Sequence, residues 1–249
     1  MRRTSTSLIA VGIALLGPAA CGSIDVTIDT GDRVEGSGEV VTEDRSVEGF
    51  NRVVLAGEGE LTILQGDAES LTVETDDNLQ EHIETRVIGD QLQIRTAAGI
   101  NIDPTDSVTY RLTATDLDEV ELSGAGTITM EQWSTTDAAV VLTGAGDIEV
   151  GVLAATTLGV DLRGAGTIRL AGAVEGHDVD LSGVGEYEAA DLESGVATVV
   201  LSGAASATVW ATDQLHVRIS GTGSVAYHGS PALEQEVSGI GSVEALGPK

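Results

Sequence analysis

The residues that could do chemistry are few in kind, and their spacing tests them quickly. Cys21 is the one thiol in 249 residues. A single cysteine forms no intramolecular disulfide and no cysteine-clustered zinc or iron–sulfur site. The histidines are His82, His177, His216 and His228. None has a second histidine at metal-ligand spacing, so no metal and no cofactor are expected. Carboxylates abound: 40 Asp and Glu stand against 12 Lys and Arg, a formal net charge of −28. A polysaccharide-cleaving enzyme would use two of them, as acid and as base or nucleophile. Abundance is not a site, however, and Trp133, Tyr187, Trp210 and Tyr227 share no common repeat position at which rings would stack. The acidity repels nucleic-acid phosphates and anionic lipid headgroups, so no nucleic-acid partner is expected. It suits solubility, weak divalent-cation binding or a salty medium. No catalytic residue is assigned.

Cys21 is informative through its place. The chain opens Met1-Arg2-Arg3 and runs apolar from Leu8 to Ala20 before reaching it. A basic start, a short apolar run and small residues before a cleavage point describe a secretory signal, here residues 1–20. The run is too short for an ordinary membrane span. Gly17-Pro18-Ala19-Ala20-Cys21-Gly22 resembles a bacterial lipobox, with Pro18 where an aliphatic residue is usual. The resemblance implies that Cys21 becomes the lipidated first residue, holding the protein to the membrane outside the cytoplasm. Residues 21–48 are rich in Gly, Asp, Glu, Thr and Ser and read as a flexible tether. Val40, Val41 and Val47 could lend a strand to the domain edge.

The element that organises the rest is Leu122-Ser123-Gly124-Ala125-Gly126-Thr127-Ile128. It returns around Gly144 and Gly146, Gly164 and Gly166, Gly183 and Gly185, Gly203, Gly221 and Gly223, and Gly239 and Gly241. The first glycines fall 20, 20, 19, 20, 18 and 18 residues apart. Fixed periods of this order mark repeat architectures. Before each glycine pair, apolar residues stand two apart, as in Val140 and Leu142 or Val160 and Leu162. That alternation is a strand with one buried face. A second strand follows each pair, and the glycines make the corner between them. Coils stacked in parallel would bury a ladder of Leu122, Leu142, Leu162, Leu181, Leu201, Ile219 and Val237. They would also align hydroxyls at Ser123, Thr143, Ser182, Ser202, Ser220 and Ser238, with Arg163 interrupting. An antiparallel meander is the competing arrangement, but it gives no reason for identical residues at matched positions.

Two motifs are set aside. Asp147 faintly suggests a calcium-binding nonapeptide, but its counterparts are Thr127, Thr167, Glu186, Ser206, Ser224 and Ser242. Gly-x-Gly followed by a strand is not a phosphate loop, which must open a helix. An early copy of the repeat surrounds Gly57 and Gly59. Between Gly59 and Gly124 the period is lost, which predicts larger, irregular N-terminal coils. Asp76 to Ile83 reads as one helical turn, capped by Asp77 or Asn78. The fold expected for residues 49–247 is therefore all-β: a parallel β-helix-like solenoid with coils of 18–20 residues. Its last copy, around Gly239, leaves a strand edge that Pro248 and Lys249 cover poorly, fit for a homotypic contact or a partner's strand.

The runs Gly49-Phe50-Asn51-Arg52-Val53, Leu64-Gln65-Gly66-Asp67, Leu71-Thr72-Val73-Glu74, Gly89-Asp90-Gln91-Leu92-Gln93-Ile94 and Leu117 through Gly126 together resemble the head GIN domain family, over roughly Gly49 to Leu246. These are bacterial exported proteins catalogued as auto-transporter adhesin heads. The resemblance implies a β-helix-like fold and a cell-envelope location, and it brings no catalytic residues. The function expected is a non-enzymatic envelope lipoprotein, an adhesin-like interaction or structural module with an unknown surface partner. The alternatives are a carbohydrate-active β-helix enzyme and an accessory factor in envelope assembly.

Overall fold

The computed structural model describes residues 31–249. The expected signal, residues 1–20, and Cys21 lie outside the described residues. The described chain winds as a parallel β-solenoid. One wall stacks Glu119–Leu122 under Asp137–Leu142, with Val120 beneath Val140 and Leu122 beneath Leu142. The same rows continue through Val160 and Leu162, Val179 and Leu181, Val199 and Leu201, then Val217 and Ile219. All these side chains are buried. A second wall, after each corner, stacks Ile128, Ile148, Ile168, Tyr187, Ala207 and Val225 inward. These pairings are parallel, so the meander is excluded. A third, shorter side carries Trp133 over to Leu153, Gly172 and Leu192. Register shifts fall there, between Val150 and Leu153, between Arg169 and Ala171, and between Ala189 and Glu193. The third side thus absorbs the unequal coil lengths and leaves the two walls in step.

The corner glycines are required chiefly by their neighbours. A Cβ on Gly144 would lie 2.0 Å from the Gly124 carbonyl oxygen, and one on Gly164 would lie 2.0 Å from that of Gly144. Those carbonyls accept hydrogen bonds from the Ala145 and Ala165 amides at 2.9 Å, so the backbones cannot separate to admit a side chain. The hydroxyl row stacks just before these glycines, but Thr143 donates outside it, to Glu121 at 3.1 Å.

At the N-terminal end, stacking order departs from chain order. The coil of Gly57 and Gly59 lies directly beneath that of Gly124 and Gly126. The residues between them fold below. Gln91–Thr96 pairs under Arg52–Leu55, and Thr109–Ala114 pairs under Glu58–Gln65. Antiparallel strands then close this end. Ile83–Ile88 lies against Gln91–Thr96, Ser70–Asp76 against Thr109–Ala114, and Val40–Arg45 against Ser70–Asp76. The expected irregular coils are therefore one further coil plus a cap. Asp77–His82 forms a 3-10 turn whose Leu79 is fully buried. Its N-cap is Asp76, not Asp77 or Asn78, and Asp76 makes no capping bond.

The tether expectation is corrected in the described part of residues 21–48. Asp32–Glu35 pairs in parallel with Ile100–Asp103, and Val40–Arg45 is an edge strand of the cap, as Val40 and Val41 led one to expect. Val47 is buried. The fold thus begins by Asp32 rather than Gly49. The buried Asp76 carboxylate pins this segment, accepting from the Gly38 amide at 2.7 Å, the Thr105 amide at 2.8 Å and the Thr105 hydroxyl at 2.8 Å.

The C-terminal end is different. Ala232–Val237 pairs only with Gln214–Ile219, and Ile240–Gly247 only with Thr222–His228. Val237 stacks on Ile219 as expected but is not inside: it is 43% exposed, because no coil lies beyond it among the described residues.

Candidate functional site

The outer face of the second wall carries two polar rows in register. One row runs Thr129, Glu149, Arg169, Glu188 and Thr208; beside it run Thr127, Asp147, Thr167, Glu186 and Ser206. A shallow groove of about 520 Å³ lies over Arg169, Glu186 and Glu188. The Arg169 guanidinium donates to Glu188 at 2.6 Å through Nε. That hydrogen bond, with the charges of Glu188, Asp147 and Glu149, raises the arginine's pKa above its ordinary value. An arginine between two carboxylates invites comparison with a carbohydrate-cleaving site. Glycoside cleavage needs one carboxyl kept protonated and the other facing it across the bond. Here Glu188 is committed to Arg169, and both carboxylates project from the same open wall. The arrangement makes an ion-paired polar surface, not an acid–base pair.

Glu58, at the first corner, is the carboxyl whose pKa is raised. Burial does most of this, and the charge of Asp103 adds to it. Asp103 is itself paired with Arg33. The carboxylate nearest in effect is thus committed to an arginine, as Glu188 is to Arg169. Among the described residues, no group of three His, Cys, Asp or Glu is placed to hold a metal ion.

The histidines fall into separate settings. His177 is buried, with Nε2 2.6 Å from the Tyr187 hydroxyl, and burial lowers its pKa to about 4. The pair sits inside the coils, where solvent and substrate do not reach it. Ala197 stacks on His177 and Ala207 on Tyr187, so two small residues offset the volume of the two rings. His216 pairs outside with Glu234 at 3.2 Å, and His82 lies 4.0 Å from Glu81. His228 stacks at the end of the row from Trp210. Trp133 is a core residue whose indole donates to the Leu117 carbonyl at 2.7 Å.

The corner glycines of the sequence reading lie where successive coils stack, most of them against the backbone of the neighbouring coil. Spacing gave no hint of the Asp76 hub or the His177–Tyr187 pair. A carboxylate between glycine-rich and Thr-containing runs, and a polar residue at an inward position of the repeat, are the signals that could have found them.

What the fold and its surfaces define is an all-β solenoid of stacked parallel coils, with polar walls and one open end. The chain belongs to the head GIN domain family: the family model described as "Putative auto-transporter adhesin, head GIN domain" matches residues 49–231. No curated protein sequence matches it. Solved structures share the fold. A putative adhesin from Bacteroides fragilis is 22% identical with a TM-score of 0.79, covering 86% of this chain and 100% of that one. A protein named as a putative lipid binding protein from Parabacteroides distasonis is 21% identical with a TM-score of 0.73, again over 86% and 100%. A putative adhesin from Parabacteroides merdae is 23% identical with a TM-score of 0.68, over 86% and 99%. Among the described residues no helix is long and apolar enough to cross a membrane.

Proposed function

We propose that this protein is an exported envelope lipoprotein, anchored through Cys21, whose solenoid is a non-enzymatic, adhesin-like interaction module. The observation that carries this reading is where the chain enters the domain. Asp32–Glu35 and Val40–Arg45 pack on the closed end. A lipid on Cys21 would therefore hold the cap toward the membrane and present the walls and the open end away from it. Membership of an adhesin-head family supports the same reading. One structural neighbour is named a lipid-binding protein. For this chain a formal charge of −28 opposes adsorption to anionic headgroups, so the lipid contact proposed is the covalent anchor.

The test has two parts. Wild type and Cys21→Ser are expressed in a bacterial host and fractionated. Wild type is expected in the membrane fraction, and the variant released or left unprocessed; identical behaviour would sink the anchor. Beads coated with the protein are then tested for retention on native envelope surfaces. Hydrolysis of an envelope polysaccharide by the purified protein, abolished by Glu188→Gln, would overturn the non-enzymatic reading.

A further inference from the structure

The two ends of the solenoid are not equivalent. The N-terminal end is closed by its own antiparallel strands, while at the C-terminal end two parallel strands have no further neighbour at their outer edge among the described residues. At that edge Leu233 is 39%, Val237 43% and Ile240 78% exposed. Beyond Gly247 the chain turns back along the flank. There the Lys249 ammonium bonds the Ala190 carbonyl, pairs with Asp191 and lies 5.6 Å over the Trp210 ring. The described chain therefore leads away from the edge and does not cover it.

The outward residues of this edge strand are Glu234 and Glu236, with side chains 82% and 68% exposed. Its inward residues are Leu233, Gln235 and Val237, stacked on Leu215, Val217 and Ile219. The strand beneath shows what complements it. His216 faces Glu234 at 3.2 Å and Arg218 faces Glu236 at 3.1 Å, with apolar residues on either side. The inward row, valine in the coils below, ends here on Gln235. Gln235 is exposed, and a strand laid over it would have to give its amide a hydrogen-bonding neighbour where the valines asked for none.

A second copy does not fit these demands. Two copies paired antiparallel about a two-fold axis set residues of the same face opposite each other. Full-length pairing of this strand with itself then sets Glu234 against Glu236 of a second copy, or Glu234 against Glu234. Like charges directly opposite destabilise a strand pair, and the net charge of −28 adds general repulsion.

We propose that the edge strand Ala232–Val237 accepts a strand from a different protein, one with outward Arg or Lys residues flanking an inward polar residue and apolar residues at both ends. Backbone ladder bonds supply affinity, the two glutamates select basic side chains, and Leu233 and Val237 take the apolar ones. This deepens the interaction-module reading and rests on it.

The probe is a labelled peptide with the sequence of residues 214–219 carrying His216→Arg and Val217→Thr. Its control carries His216→Glu and Arg218→Glu. Both are titrated against the full chain, with anisotropy as readout. The basic peptide is expected to bind at least about tenfold more tightly than the acidic one, and less tightly as salt rises. Glu234→Lys with Glu236→Lys should reverse the preference, while circular dichroism reports an unchanged fold. Equal binding of the two peptides, no binding at about 1 mM peptide, or an unchanged preference in the lysine variant would overturn the proposal. So would self-association of the full chain that Val237→Lys abolishes, because the edge would then belong to a second copy. A negative result leaves the fractionation and bead experiments untouched, so the two readings fail separately.

Discussion

The His177 imidazole and the Tyr187 hydroxyl meet at 2.6 Å inside the solenoid, two buried polar groups facing each other among the stacked coils. Burial holds the histidine neutral down to about pH 4, against an ordinary value of 6.5. The unfolded chain takes up this proton below about 6.5, and the folded chain does so only near 4. The pair's contribution is therefore fully present above pH 6.5 and is lost as pH falls from 6.5 toward 4. At one unit per 1.36 kcal/mol, the loss is on the order of 3 kcal/mol. The double variant His177→Leu, Tyr187→Phe removes both partners and should flatten Tm against pH across that window. An unaltered acid slope in the variant would assign the sensitivity elsewhere.

Asp76 ties the entry segment to the cap. Burial works to raise its pKa, but bonds from the Thr105 amide, the Gly38 amide and the Thr105 hydroxyl outweigh this and lower it. A lowered carboxylate adds stability above its ordinary pKa of 3.8, and that stability is lost as pH falls through the folded value. Asp76→Ala orphans these donors at about 1–3 kcal/mol each. Hydrogen exchange should show residues 32–45 losing protection first, with the coils above Gly124 little changed. Uniform loss along the chain would contradict a local tie.

Gly164 and Gly159 stand in the same coil and should respond oppositely. A Cβ at Gly164 meets the Gly144 carbonyl oxygen at 2.0 Å, whereas one at Gly159 meets nothing within 4 Å. Gly164→Ala should cost more than about 2 kcal/mol and loosen adjacent coils before distant ones. Gly159→Ala should be neutral or stabilising by up to about 1 kcal/mol. Denaturant melts give the energies and exchange gives the spread. Equal protection loss in every coil after Gly164→Ala would argue against nearest-neighbour coupling.

The walls were legible because valine and leucine two apart before each Gly-x-Gly admit one packing: inward, and on top of their counterparts. The cap was not. Ser70–Asp76 and Ile83–Ile88 alternate with the same period as the coil strands, and alternation carries no strand direction. Asp32–Glu35 is a mostly exposed edge strand with the composition of a tether, and in Val40–Arg45 only the two valines at its start marked a strand. Val237 repeats the pattern of Leu201, yet burial depends on a following coil, which no single repeat encodes. Asp76 read only as the start of a helical turn, since only the fold brings Gly38 and Thr105 to it.

The out-of-order stacking sets a rule for how the molecule can be assembled. The coil of Gly57 emerges from synthesis before either of its neighbours and stays open on both edges until residues 91–114 have slipped beneath it. Everything through Ala114 then forms a finished pedestal before the regular repeats appear. Growth above it is directional, each new coil templated by the one already in place. Length can therefore vary by whole coils at the free end without disturbing the base. Descendants of such a chain can lengthen or shorten while keeping the same foundation.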